Sequence, residues 1–133
     1  MINWDDHYLI GVKRIDFEHH IFLDLINNFS DARLKNENIE TLSNILDEVV
    51  LYAKFHFKSE ENMMLRFNYP ELAEHKKLHH QLIDELGMKV FGIQTKLYSP
   101  KEVEEFLITW FINHVTHEDV KIGTYISTIA QTQ

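Results

Sequence analysis

The chain contains no cysteine, and it has only four glycines and two prolines among its 133 residues. Without cysteine it forms no disulfide, offers no thiolate nucleophile, and cannot hold zinc or an iron–sulfur cluster through cysteine ligands. Scarce glycine and proline, together with a 44% apolar fraction, favour long helices over a turn-rich sheet. We therefore expect one all-α domain spanning residues 1–133.

Runs of basic residues and long apolar runs are also missing from the chain. The formal net charge is −8, so the phosphate backbone of a nucleic acid would be repelled, and we expect no nucleic-acid partner. The first residues have neither a basic region nor a long apolar stretch. This favours a cytoplasmic protein without signal peptide, anchor or membrane insertion.

Four stretches carry apolar residues in alternating steps of three and four, the pattern of one helix face. Asp16 is the expected N-cap of the first helix, and Pro70 the expected first residue of the third. Ser99, Pro100 and Glu102 are typical of an N-cap, a proline at the first helical position and a capping-box glutamate.

Short connections between these stretches predict an antiparallel up-down-up-down four-helix bundle, formed by residues 19–133. Residues 1–18 are expected to form an N-terminal arm across it, anchored by Trp4, Tyr8, Ile10 and Val12. The inward positions of the four helices are predicted to be Ile15, His19, Phe22, Ile26 and Phe29; Leu42, Ile45, Val49, Ala53, His56, Glu60, Met63 and Phe67; Leu72, His75, His79, Leu82, Leu86 and Val90; and Val103, Phe106, Trp110 and His114.

Five histidines and one glutamate occupy these inward positions, where an apolar side chain is normally expected. Buried imidazoles and a buried carboxylate destabilise a core unless something satisfies them together, and a metal ion does so. Side chains four residues apart on a helix differ by only about 40° in direction, so they reach one site from adjacent turns. The candidate ligands are His19, His56, Glu60, His75, His79 and His114. Such a set without thiolates suits iron, zinc or manganese, and more than four ligands suggests two bridged metals.

The other four histidines lie off the inward faces or outside the helices. We expect His7, His20, His80 and His117 to be solvated or to contact the ligands from outside. His20 and His80 each directly follow a candidate ligand, about 100° around the helix from it. They are therefore natural controls for the ligand assignment.

Three other metal-site classes fit the sequence poorly. The zinc-protease pattern His-Glu-x-x-His is absent, because His117 and Glu118 are followed by Asp119, Val120 and Lys121. The ferritin-like pattern needs a glutamate with a histidine three residues later, and the chain has none. A haem globin would leave five histidines in register unexplained.

At these residues the chain resembles the haemerythrin family, in particular its short single-domain bacterial members. The resemblance covers nearly the whole chain. The matching segments are Ile15-Asp16-Phe17-Glu18-His19, His56-Phe57-Lys58-Ser59-Glu60-Glu61-Asn62-Met63, Tyr69-Pro70 with His75 and His79, and Trp110-Phe111-Ile112-Asn113-His114 through Asp119.

The resemblance implies two iron ions joined by an oxo or hydroxo bridge. It assigns His75, His79 and His114 to one iron and His19 and His56 to the other, with Glu60 and Asp119 bridging both. Asp119 is unexpected from spacing alone, because it follows His114 by five residues, about 140° around an ideal α-helix. A local distortion of the helix, or a wide approach of the side chain from one side, would bring it into the site.

The resemblance also implies reversible dioxygen binding at the iron with two histidines, and no enzymatic activity. The expected role is that of an oxygen carrier, store or delivery protein, monomeric, with an oxygen-consuming enzyme as a possible partner. An oxygen- or redox-sensing domain, or a di-iron enzyme acting on peroxide or nitric oxide, stays open as an alternative. Phe22, Phe57 and Trp110 are the candidates for the wall of the oxygen pocket. Thr116 stands where an apolar residue is expected, and a hydroxyl facing that pocket would alter oxygen affinity or autoxidation.

Overall fold

A computed structural model describes residues 2–132, with side chains as far as residue 129. The described residues contain helices and no strand. After a short 3₁₀ helix at Asp6–Tyr8, the helices are α1 (Lys13–Leu34), α2 (Ile39–Arg66), α3 (Leu72–Gln94), α4 (Pro100–Asn113) and α5 (Val120–Thr132). A π-helical turn, His114–Asp119, joins α4 to α5 without a break, so these segments form the fourth rod. The predicted all-α, antiparallel four-helix bundle is confirmed.

Side chains at the helix starts explain two of the boundaries. Asn38 caps α2, because its side-chain oxygen accepts from the backbone N–H of Thr41 at 2.8 Å. Ser99 caps α4 in the same way, accepting from the N–H of Glu102 at 3.1 Å, with Pro100 as the first helical residue. The start predicted for the fourth helix is therefore confirmed.

The starts of α1 and α3 differ from the predictions. Helix α1 begins at Lys13, inside the segment assigned to the arm, and Asp16 is not its N-cap. The Asp16 carboxylate instead accepts from the backbone N–H groups of Ile10 and Gly11, at 2.7 and 3.2 Å, and so fixes the end of the arm. Helix α3 begins at Leu72, with Pro70 in the preceding turn. Asp16 and Pro70 each lie within three residues of a helix start, but neither occupies the predicted position.

The inward face of α2 is shifted by one residue at two of the predicted positions. Leu46 and Met64 are fully buried, whereas Ile45 and Met63 are only half-buried. A repeat of 3.6 residues allows either a three- or a four-residue step, so an apolar neighbour can take the inward position. The ligand candidates His56 and Glu60, which lie between these positions, are in register.

The same ambiguity affects α4. Leu107 and Phe111 face the core, whereas the predicted Phe106 and Trp110 lie half-buried on its flank. On α1, by contrast, every predicted inward residue is buried. Phe111 is therefore a core residue close to the site that the pattern did not single out.

The N-terminal arm packs on the end of the bundle that carries the site. Ile10 is buried, and its carbonyl lies so close to Gly123 of α5 that a side chain at position 123 would collide with it. The Trp4 ring stacks on His20 at 3.5 Å, and Tyr8 meets Phe111 edge to face at 5.8 Å. The arm therefore covers α1 and the fourth rod. Between residues 2 and 132 there is no helix with the length and apolar character that crossing a membrane requires.

Candidate metal centre

The seven side chains predicted as metal ligands converge in the core of the bundle. Each is at most 6% exposed. They come from α1, α2, α3 and the π-helical turn, and they are His19, His56, Glu60, His75, His79, His114 and Asp119. The bundle therefore brings together in space residues that are up to a hundred positions apart in the sequence.

The donor atoms form two groups that share both carboxylates. One group contains three histidines, His75, His79 and His114, and the other contains two, His19 and His56. Glu60 and Asp119 belong to both, and within each group all donor atoms lie within 4.8 Å of one another. This division into three and two histidines coincides with the one implied by the resemblance.

The two oxygens of each carboxylate face different groups. Glu60 Oε1 lies 2.8 and 3.0 Å from the Nε2 atoms of His75 and His79, while Oε2 lies 3.5 and 3.8 Å from those of His56 and His19. This is the arrangement in which a carboxylate can bridge two cations.

Asp119 repeats this division. Its Oδ1 atom lies 3.1 Å from Nε2 of both His75 and His114, and its Oδ2 atom lies 3.1 Å from Nε2 of His19. Both carboxylates therefore offer one oxygen to the three-histidine group and the other to the two-histidine group.

The donor atoms fit a cation better than they fit one another. His114 Nε2 and Asp119 Oδ1 are 3.1 Å apart, yet among the described residues neither has a hydrogen-bond partner. The same is true of Glu60 Oε2 and of His19 Nε2. Buried polar atoms are normally paired, so unpaired atoms aimed at a common point indicate that a metal ion satisfies them.

The π-helical turn explains how Asp119 enters the site. The backbone N–H of Val120 donates to the carbonyl of Val115, five residues earlier. Such i→i+5 bonding widens the helix, so residues five apart lie on the same side. His114 and Asp119 consequently face the same centre. Of the two expected ways for Asp119 to reach the site, the structure shows the local distortion of the helix.

Aromatic rings surround the donor histidines. Phe22 lies 6.0 Å from the His56 ring, and Phe57 lies 5.8 Å from it while also stacking on His79 at 3.9 Å. Trp110 stacks on His114 at 4.7 Å. Phe111, which the sequence pattern did not indicate, lies 6.0 Å from His19. These rings give the donor cluster an apolar surrounding.

Thr116 does not present a polar group to this apolar surrounding. Its hydroxyl donates to the backbone carbonyl of Ile112 at 2.6 Å and lies 3.1 Å from Nδ1 of the exposed His117. The condition under which Thr116 was expected to alter the oxygen pocket is therefore not met. The histidines His7, His20, His80 and His117 are all exposed, as predicted.

The comparisons with known proteins agree with this geometry. The family model "Hemerythrin HHE cation binding domain" matches residues 10–126. The chain belongs to the haemerythrin family. It is 29% identical to "Bacteriohemerythrin" of Clostridium acetobutylicum over 127 residues, which covers 90% of this chain and 96% of that protein. It is also 29% identical to "Hemerythrin-like protein" of Naegleria gruberi over 120 residues, with 90% and 88% covered.

A solved structure shares the fold of this family member. It is the crystal structure of a haemerythrin point mutant, with a TM-score of 0.86 and 24% identity, and the match covers 96% of this chain and 98% of that chain. At this level of identity the likeness establishes the four-helix bundle. The cation-binding character comes from the family model and from the donor cluster itself.

Protons occupy part of this cluster in the polypeptide alone. Burial lowers the pKa of His56, but the adjacent carboxylates of Glu18 and Glu60 outweigh it and raise the pKa to about 9. Burial likewise lowers the pKa of His75, and Asp119 and Glu60 raise it to about 10. At neutral pH a cation must therefore displace protons from these two imidazoles.

The two shared carboxylates stay ionised. Burial raises the pKa of Glu60, and the Asp119 charge adds to this, but the facing imidazoles hold it well below its usual range. Burial also raises the pKa of Asp119, and His114, with His19 and His75, holds it well below its usual value. Two negative charges in the core are therefore present to attract cations.

Proposed function

We propose that this protein binds two iron ions in its core and binds dioxygen reversibly at one of them. His75, His79 and His114 would hold one ion, His19 and His56 would hold the other, and Glu60 and Asp119 would bridge both. The observation that carries the proposal is the division of both carboxylates, each with one oxygen toward three histidines and the other toward two.

The unequal number of histidines supports a binding site for a small molecule on one side. With the carboxylates shared, an ion in the three-histidine group would have one protein ligand more than an ion in the two-histidine group. An ion in the two-histidine group would therefore have room for an external ligand. A redox-active metal pair supplies the electrons that reversible dioxygen binding requires.

The side chains around the two-histidine position exclude water rather than offer protons. Phe22, Phe57 and Phe111 contribute apolar rings there. Tyr52 lies parallel to His56, but its hydroxyl donates to the backbone carbonyl of Glu18 at 3.2 Å. Burial and the Glu18 charge raise the pKa of Tyr52 to about 12, so it keeps its proton. This supports an oxygen carrier, store or delivery protein over a di-iron enzyme.

Cycles of oxygenation test this proposal. Iron-loaded, reduced protein is exposed to dioxygen, purged with argon and exposed again while its absorption spectrum is recorded. We expect charge-transfer bands without a haem Soret band to appear and disappear through several cycles. Bands that persist after the argon purge of the first cycle, or catalytic consumption of hydrogen peroxide or nitric oxide by the same sample, would favour the sensor or enzyme alternative.

A further inference from the structure

Glu18 is a buried carboxylate that the donor cluster does not include. It precedes His19 on α1, is only 4% exposed, and points toward α2. Its Oε1 atom lies 2.7 Å from Nδ1 of His56, and its Oε2 atom accepts from Ser59 Oγ at 2.8 Å and from Arg14 Nε at 3.1 Å. Glu18 therefore contacts the outer nitrogen of a candidate metal ligand on a different helix.

The contact fixes the tautomer of His56. One oxygen of Glu18 accepts from Ser59 Oγ and from the charged guanidinium of Arg14, and these two donors favour the ionised carboxylate. A carboxylate only accepts hydrogen bonds, so Nδ1 of His56 must carry the proton that is donated. The lone pair of a neutral imidazole then lies on Nε2, the atom that faces Glu60 and the cluster.

Two other histidines of the cluster differ from His56 in their outer contacts. His79 Nδ1 contacts Glu61 at 2.8 Å, but the Glu61 side chain is 13% exposed. His19 Nδ1 is buried and has no hydrogen-bond partner among the described residues. On the two-histidine side, therefore, the orientation of the ligands depends on the contact between Glu18 and His56.

We propose that Glu18 is a positioning residue for the two-histidine metal position, acting through His56, with Ser59 and Arg14 holding its carboxylate in place. This inference rests on the proposed function only in requiring that the cluster binds two metal ions. Glu61 has the corresponding role toward His79 in the three-histidine position. The two metal positions are consequently controlled by different outer carboxylates.

Binding of Zn²⁺ to the full chain tests the inference, because zinc is diamagnetic and allows nitrogen NMR of the histidine rings. Glu18→Ala is expected to weaken binding at the two-histidine position by about 10- to 100-fold, the usual effect of losing an outer carboxylate. Glu18→Gln keeps an oxygen that can accept from Nδ1, so it should restore most of the affinity. The Nδ1–H signal of His56 should persist in Glu18→Gln and be lost in Glu18→Ala.

Two control variants separate this role from general stability. Glu104 is a buried carboxylate that pairs with Arg33 between α1 and α4, away from the donor cluster, and Glu104→Gln should leave both zinc affinities unchanged. Glu61→Ala should weaken the three-histidine position instead, as seen from the ring signals of His79. If Glu18→Ala does not fold, Ser59→Ala, which removes one donor to Glu18, should still weaken the two-histidine position several-fold.

The outcomes distinguish the inference from the proposed function. If the unaltered protein does not bind two metal ions, the proposed function fails. If it binds two, and Glu18→Ala or Ser59→Ala leaves the affinity and the His56 tautomer unchanged, the positioning role of Glu18 is wrong. Equal weakening of both positions by Glu18→Ala would also contradict it, because a structural defect alone would produce that result.

Discussion

Glu60 and Asp119 differ from the other donor residues because each of them faces both groups of histidines. A histidine contributes one nitrogen to one group, whereas each carboxylate contributes an oxygen to both. Removing one histidine should therefore weaken mainly one position. Removing a shared carboxylate should weaken both positions and also leave the facing imidazoles without a counter-charge.

Substitution of single residues tests this difference. We expect Glu60→Ala to abolish iron binding and His75→Ala to prevent assembly of the pair, as measured by iron content after loading. His20→Ala and His80→Ala should bind iron as the unaltered protein does, because both side chains are exposed. If His20→Ala loses iron and His19→Ala retains it, the metal ligand on α1 is His20 and not His19.

Six of the donor residues could be predicted from helical spacing, because histidine and glutamate at inward positions are conspicuous among apolar neighbours. Asp119 was identified only through the family resemblance, since a regular helix would turn it away from His114. Glu18 was missed as a partner of the site. A buried glutamate beside a ligand gives no periodic signal, and its partner His56 lies on another helix.

Among the elements, the π-helical turn has the most direct consequence for the site. Its wider winding places residues five apart on one side of the helix, so His114 and Asp119 face the same centre. The turn then continues into α5. A regular α-helix over the same residues would direct Asp119 away from the centre by about 140°. The site therefore depends on a backbone irregularity as well as on side-chain identity.

Deletion of Thr116 tests the role of this turn. The deletion leaves the histidine and the aspartate four residues apart, a spacing at which a regular α-helix already turns both side chains to the same side. We therefore expect the deletion variant to retain its iron, because the turn serves to accommodate the fifth residue. Thr116→Ala, which keeps the five-residue spacing and the turn, should also bind iron normally. Loss of iron from the deletion variant, while circular dichroism still shows a helical protein, would contradict this role of the turn.

The number and order of the helices could be predicted from apolar spacing and caps, but their rotation could not be predicted fully. Adjacent apolar residues such as Ile45 and Leu46 satisfy the same pattern, and packing between helices decides which is buried. The start of α1 was misplaced for a similar reason. Asp16 is a good capping residue, yet its carboxylate binds the backbone of the arm instead.

For the molecule as a whole, we expect metal binding and folding to be coupled. The donors lie on all four rods of the bundle, and without a metal the core must contain two carboxylates and protonated imidazoles. A cation that binds only the folded chain stabilises it by mass action, by about 4 kcal/mol at a thousand times its dissociation constant. Iron should therefore act as a structural element of the core.

Thermal melting of loaded and stripped protein tests this coupling. At neutral pH we expect iron to raise the melting temperature by more than about 10 °C, since 1 kcal/mol corresponds to several degrees in a domain of this size. Metal analysis must confirm that the stripped sample is free of metal. Coincident melting curves would contradict the coupling.

The stripped protein should also lose stability at alkaline pH. His56 and His75 have pKa values raised to about 9 and 10, above the unfolded value of about 6.5. Their contribution to the free energy of unfolding is therefore fully present below the unfolded pKa and is lost as the pH rises through 9 and 10. Melting temperatures across this range should fall for the stripped protein and stay nearly level for the loaded protein, in which metal replaces these protons. If the melting temperature of the stripped protein does not fall over this pH range, the assignment of positive charges to His56 and His75 is wrong.

The most direct test of the central claim is a crystal structure of the iron-loaded protein with anomalous diffraction measured at the iron absorption edge. We predict two iron peaks, one bound by His75, His79 and His114 and the other by His19 and His56, with Glu60 and Asp119 bound to both. A single peak, or two peaks that do not share Glu60 and Asp119, would contradict the account.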